Sequence, residues 1–313
     1  MQIFNRPKII DEAASSSYMA RHGKKPGLFW LLDLLLVFGV IFTVQICASI
    51  AYLILRLPYD MRMKMIPYPT SILGLPLEDY VRFVDLLVTA VTTILVLIFI
   101  RFVQMRKLRT AGFVKKNAVK HYLIGLVIGA GMFAAAVGIC ALFGTIKISY
   151  AGGFNPVVIL VLFLGWMIQG NSEEVLCRGY IMVSLSRRYH VAVGVFINSL
   201  LFGALHLANP GVSALPIINI CLFGIVMSLM FLRTGNIWMV SALHTAWNFV
   251  QGNVFGVLVS GGDVSEKILS TELIESKALI NGGVFGLEGG LAVTIVLAVT
   301  IGVLIFVKPC KDI

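Results

Sequence analysis

The sequence predicts an all-α membrane protein, a polytopic bundle of about eight transmembrane helices with both termini in the cytoplasm. Three observations carry that expectation. Hydrophobic residues make up 58% of the 313 positions and charged residues only 13%, whereas a soluble domain carries about 25% charged residues. Apolar stretches near the ~20 residues that cross a bilayer recur along the whole chain. Lys and Arg gather in alternate connections between those stretches, the asymmetry that sets orientation in membrane proteins.

Residues 1–27 are polar and of mixed charge, without the apolar centre of a signal peptide, and read as a cytoplasmic tail that is mobile at its start. Spans are expected at 28–55, 83–103, 121–143, 157–182, 191–208, 216–232, 237–258 and 287–307. The organisation that follows has four parts: the tail 1–27, N-terminal helices with a basic loop at 28–119, a helical core at 120–258, and an outer loop with the last helix at 259–313.

The basic connections are the tail (Arg21, Lys24, Lys25), the loop after the second span (Arg101, Arg106, Lys107, Arg109, Lys115, Lys116, Lys120), Arg187 with Arg188, Arg233, and Lys308 with Lys311. The opposite connections are poorer in basic residues: 144–156 has only Lys147 and 209–215 has none. Their exception is the first outer loop, where Arg56, Arg62, Lys64 and Arg82 are partly offset by Asp60, Glu78 and Asp79. The last outer loop contains SEKILSTELIESKALI at 265–280, whose apolar residues fall at roughly helical spacing. With Asp263 and Glu266 as a capping pair, it reads as an amphipathic helix on the outer surface.

The net charge is +10, but its confinement to short connections beside apolar spans argues against nucleic acid as a partner. The five cysteines form no CxxC pair, which gives neither a disulfide framework nor a thiolate zinc site.

Polar groups inside three spans are the unusual feature. A charged side chain at the centre of a membrane helix costs roughly 2.5–3.5 kcal/mol on insertion scales, so it calls for a function or a partner. The fourth span carries Glu173, Glu174 and Arg178, the fifth His206 and the seventh His244 with Asn248. At ~100° per residue, Glu174 and Arg178 lie about 40° apart on a helix and can pair, whereas Glu173 lies about 140° from Arg178. Glu173 therefore needs a partner from another helix, and His206, His244 and Asn248 are available. One carboxylate, two imidazoles and a carboxamide can do two things. Glu173, His206 and His244 can hold one divalent zinc that acidifies a water. Alternatively, Glu173 and a histidine act as general base, and the second histidine with Asn248 stabilises an oxyanion. Both routes hydrolyse an acyl bond. His22, His121 and His190 read as solvated surface residues, and Trp166, Trp238 and Trp247 as packing or interface anchors.

The patterns EExxxR (Glu173, Glu174, Arg178), FxxxH (Phe202, His206) and HxxxN (His244, Asn248), in that order, resemble the CPBP family of intramembrane proteases. That group contains type II CAAX prenyl endopeptidases and bacteriocin-processing and self-immunity proteins. The resemblance covers about residues 120–258 and implies a helical membrane peptidase in which Glu173, His206, His244 and Asn248 carry the chemistry. Glu174, Arg178 and Phe202 support them. By analogy, Glu173 with His206 activates the water and His244 with Asn248 binds the oxyanion. The family has been described both as metal-dependent and as glutamate-type. The implied partners are the bilayer and a peptide or protein substrate, either prenylated or a bacteriocin-like precursor, and the implied location is a bacterial plasma membrane. The competing classes are a transporter with a midplane polar site and a membrane scaffold.

Two details complete the expectations. Glu288 in FGLEGG reads as a cap for the last helix. At 1.5 Å per residue, His244 lies ~10 Å inside the cytoplasmic end of its span and His206 ~23 Å from the start of its own, so the two can meet only if the fifth span extends into the cytoplasm or tilts strongly.

Overall fold

The computed structural model describes residues 7–16, 30–65, 71–72, 75–264 and 266–306. Helices form at all eight expected places: α2 (Trp30–Met65), α3 (Leu77–Val103), α4 (Ala118–Leu142), α5 (Pro156–Ser186), α6 (Val191–Ala204), α7 (Ala214–Thr234), α8 (Ile237–Phe249) and α9 (Leu291–Phe306), preceded by a short α1 (Lys8–Ser15). Five stretches among them are long and apolar enough to cross a membrane: 36–54 within α2, and α3, α4, α5 and α7. The helices α6 and α9 are apolar but shorter. Phe42, Phe102, Val127 and Phe306 are exposed on the helices' outer faces, where a bilayer would cover them.

Helix α8 is the centre of the bundle. Every residue from Met239 to Asn248 is buried, with α4 and α5 packed along it. Close approach of α4 depends on Gly125 and Gly129, where a Cβ would collide with the backbone carbonyls of Met239 and Leu243. Small residues at helix contacts supply the packing that drives association where the hydrophobic effect between helices is weak. The start of α8 is roofed by the loop after α3. Ile237 N donates to Gly112 O at 2.9 Å, and Trp238 Nε1 donates to Val114 O at 3.1 Å.

Three helices pass into π-helical turns, at Phe99–Val103, Val175–Met182 and Val250–Val254. The second follows Glu174 directly and the third begins two residues after Asn248. Such turns are rare, and they occur frequently at functional sites.

Several expectations are corrected. Residues 269–273 are not part of an amphipathic helix: they form strand β2 (Leu269–Leu273), antiparallel to β1 (Ile146–Tyr150), with Ile146 opposite Leu273 and Tyr150 opposite Leu269. The partner strand comes from a connection more than a hundred residues away, and a helical reading of the local spacing cannot see it. Asp263 and Glu266 accordingly cap no helix there. Asp263 Oδ1 accepts from its neighbour Val264 N, and Glu266 Oε1 accepts from Asn155 N. Part of the N-terminal tail is ordered. Ile10 and Ala13 of α1 are fully buried, and Glu12 pairs with Lys107 and Arg109 of the basic loop.

That loop also hides one of its basic residues. Arg106 is completely buried. It donates to Gln104 Oε1, Ser184 Oγ, Thr110 Oγ1 and the carbonyls of Thr110 and Gly179. Burial lowers its pKa to about 9, with Arg187 adding repulsion. His121 is buried too rather than solvated, and neither ring nitrogen has a hydrogen-bond partner. His190 is exposed as expected and caps α6, its Nδ1 accepting from Ala192 N. His22 lies outside the described residues.

Candidate active site

Helix α5 sets up the site by presenting two carboxylates on different faces. The Glu174 side chain is fully buried and accepts from Arg178 Nη1 at 2.8 Å, one turn away, as the spacing requires. Arg178 also donates to Gly224 O on α7, and its guanidinium lies over the Phe202 ring at 4.8 Å. The Glu173 side chain is 28% exposed and lines a cavity of about 480 Å³.

All four residues expected to carry chemistry reach that cavity: Glu173, His206, His244 and Asn248. Phe202 brings the two imidazoles to one level, with its ring edge-to-face with His206 at 4.9 Å and with His244 at 6.1 Å. This resolves the displacement that the span lengths require. Helix α6 ends at Ala204, and His206 sits in the turn beyond it, while the start of α8 is enclosed beneath the 108–114 loop.

The contacts of Glu173 differ from those expected. Its helix does supply a partner, for Gln169 Nε2 donates to Glu173 Oε1 at 2.5 Å. The histidine beside it is His244, with Nε2 at 3.6 Å from Glu173 Oε2. That separation is beyond a hydrogen bond. His206 instead directs its Nδ1 to the carbonyl of Phe202 at 2.8 Å. His244 Nδ1 meets Glu174 Oε1 at 2.9 Å, which makes Glu174 the residue that orients the imidazole as well as the partner of Arg178.

Acceptor chemistry fixes several protons. A carboxylate and a carbonyl only accept, so Nδ1 is the donor in both histidines. In the neutral rings each Nε2 is then an acceptor, and that of His244 faces Glu173. Asn248 Nδ2 donates to Gln169 Oε1 at 3.0 Å, which leaves the Gln169 amide nitrogen for Glu173. Gln169 thus links Asn248 to Glu173, a role the motifs did not reveal, although its position one helical turn before Glu173 was a usable signal. Phe223 was missed as well; its ring is T-shaped against His244 at 5.2 Å.

Glu288 does not cap the last helix. It accepts from Trp247 Nε1 at 2.9 Å, from Ser260 N at 2.8 Å and from Ser260 Oγ at 2.9 Å, tying the loop after α8 to the cavity wall.

A metal fits this arrangement poorly. No three His, Cys, Asp or Glu side chains among the described residues are placed to hold one. Glu173 and His244 approach each other, but His206 lies across Phe202 from them.

Residues 154–250 match the model of the family described as type II CAAX prenyl endopeptidase Rce1-like. The CPBP resemblance holds. The matched stretch contains all three motifs, from Glu173 to Asn248, and with the apolar helices it makes this a multi-pass membrane protein related to proteases. No curated protein matches the chain.

Proposed function

We propose that the chain is an intramembrane endopeptidase that hydrolyses a peptide bond of a membrane-associated or lipidated substrate, with water activated by Glu173 and histidine. We read the bundle as eight spans with both termini in the cytoplasm of a bacterial plasma membrane. The observation that carries the reading is the convergence of Glu173 on α5, His206 in the turn after α6, and His244 and Asn248 on α8 on one cavity.

In this reading Glu173 Oε2 and His244 Nε2 are two acceptors facing the same space, and a water between them can give a proton to either. Loss of that proton leaves hydroxide to attack the peptide carbonyl. The proton then passes from the base to the leaving amine. Glu174 holds the His244 ring in orientation and stabilises it when it is protonated. Asn248 has a neutral N–H₂ group with one hydrogen on Gln169, and the other is free to meet the oxyanion. This reading pairs Glu173 with His244 in place of the analogy that gave Glu173 to His206, which packs on the Phe202 ring and lines the same cavity.

The test uses purified protein and a peptide library with mass-spectrometric readout, comparing wild type with Glu173→Ala. Cleavage products that vanish in the variant are expected. An intact library with both proteins, alongside substrate-dependent ion flux in vesicles, would favour a transporter instead.

A further inference from the structure

We infer that the cavity takes its substrate from the face opposite the basic connections, so that the substrate is a peptide segment exposed outside the cytoplasm and not a cytoplasmic lipidated tail. The inference rests on the hydrolytic reading for what is bound, and on the fold together with the charge asymmetry of its connections for where it enters.

The wall of the cavity is one-sided. Where it leaves the helices it is completed by Asn209, Pro210, Ser260, Gly262 and Glu288, in connections with few basic residues. No described residue of the basic connections 104–117, 187–190 or 233–236 contributes to it. The helices α3, α6 and α7 give the same answer, while on α5 the lining reaches Leu176 and Cys177, past mid-helix, and on α2 it is central, from Ile41 to Ala48. On α3 the lining runs from Arg82 to Thr92, towards the end remote from Arg101, and on α7 it runs from Asn219 to Phe223, remote from Arg233. On α6 it begins only at Phe202, and the basic residues Arg187 and Arg188 precede that helix.

The other side is closed. Every residue from Glu174 to Arg187 is buried, and Ile181, Met182, Val183, Met227 and Phe231 are fully so. Beneath the catalytic carboxylate lie the Glu174–Arg178 pair and then Arg106, itself sealed by five donated hydrogen bonds. A peptide would have to break this dry layer to arrive from the basic side. Because positive connections stay in the cytoplasm, the open side is the outer one.

Three single-cysteine substitutions test this in intact cells with a membrane-impermeant, charged methanethiosulfonate, the unsubstituted protein giving the background. Thr92→Cys lies in the cavity, Leu207→Cys just beyond His206 and Lys116→Cys on the basic loop. The first two should be modified from outside, and Lys116→Cys only after permeabilisation. In sealed vesicles, an impermeant quenched peptide should be cleaved at least tenfold faster with the outer face exposed than with vesicles inverted. Modification of Thr92→Cys from the cytoplasmic side alone, or cleavage that is equal or faster in inverted vesicles, overturns the inference. If neither preparation cleaves, the hydrolytic reading fails, and the labelling pattern decides the route of entry independently.

Discussion

The dry layer around Glu174 and the cavity around Glu173 begin one residue apart on α5, and they treat a carboxylate in opposite ways. Glu174 is fully buried and given two cationic or hydrogen-bonding partners, Arg178 and His244. Glu173 keeps one oxygen on Gln169 and leaves Oε2 without a hydrogen-bond partner, facing His244 across 3.6 Å. The difference is a rotation of ~100° about a helix axis. Both carboxylates keep an Oε2 without a hydrogen-bond partner, so what separates them is their surroundings: Glu174 is locked against Arg178 in a fully buried pair, whereas Glu173 meets a neutral amide and faces the cavity. Phe202 is the partition, with Arg178 over its ring and both histidines at its edges.

That comparison breaks most sharply at the two glutamates. Glu173→Gln should lower turnover by about 10²–10⁴-fold, the usual contribution of a general base, while thermal unfolding in detergent stays within a degree or two of wild type. Glu174→Gln should lower unfolding stability by about 3–5 kcal/mol, the cost of leaving a buried partner charge unpaired, and lower activity as a consequence. Equal losses of stability in both variants would show that the two environments are not distinct.

The histidines sharpen it further. His244 belongs to both regions through Glu174 and Glu173, so His244→Ala should lose activity and some stability. His206 bonds only a local carbonyl among its described hydrogen bonds, so His206→Ala should lose activity with little change in stability. Because groups acting as a unit are non-additive, the double variant should be scarcely slower than the worse single one. Kinetic losses that multiply would point to independent, structural roles.

Smaller effects are expected along the Asn248–Gln169–Glu173 chain. Asn248→Asp should cost about 10²–10³-fold in kcat, since a carboxylate repels a developing oxyanion that a neutral donor would stabilise. Gln169→Leu should cost about tenfold in kcat, in line with loss of a hydrogen bond to a charged group. KM should hold if Gln169 positions Glu173 and should rise if it mainly contacts substrate. A zinc-dependent activity that survives Asn248→Asp would reverse the assignment of Asn248.

Much of this arrangement was legible because it is local. The pairing of Glu174 with Arg178 follows from four-residue spacing, and the eight helical segments follow from runs of apolar residues. His206 at the end of its helix is announced by the breaker Asn209-Pro210-Gly211. What escaped was distant. The 269–273 strand depends on a partner at 146–150, the burial of Arg106 depends on Gly179 and Ser184, and the role of Glu288 depends on Trp247 and Ser260.

By itself the sequence determined that this protein lives in a membrane, which segments become helices, and which polar side chains are costly enough there to demand partners. Those conclusions need only hydropathy and helical periodicity, which act over a few residues. The tertiary structure alone decided that His244 stands beside Glu173 and that Gln169 joins Glu173 to Asn248. It also decided that the cavity is closed towards the basic loops. Each of these depends on how helices rotate and approach one another, here through glycines 125 and 129 and the shared ring of Phe202, and no spacing within a single segment records that.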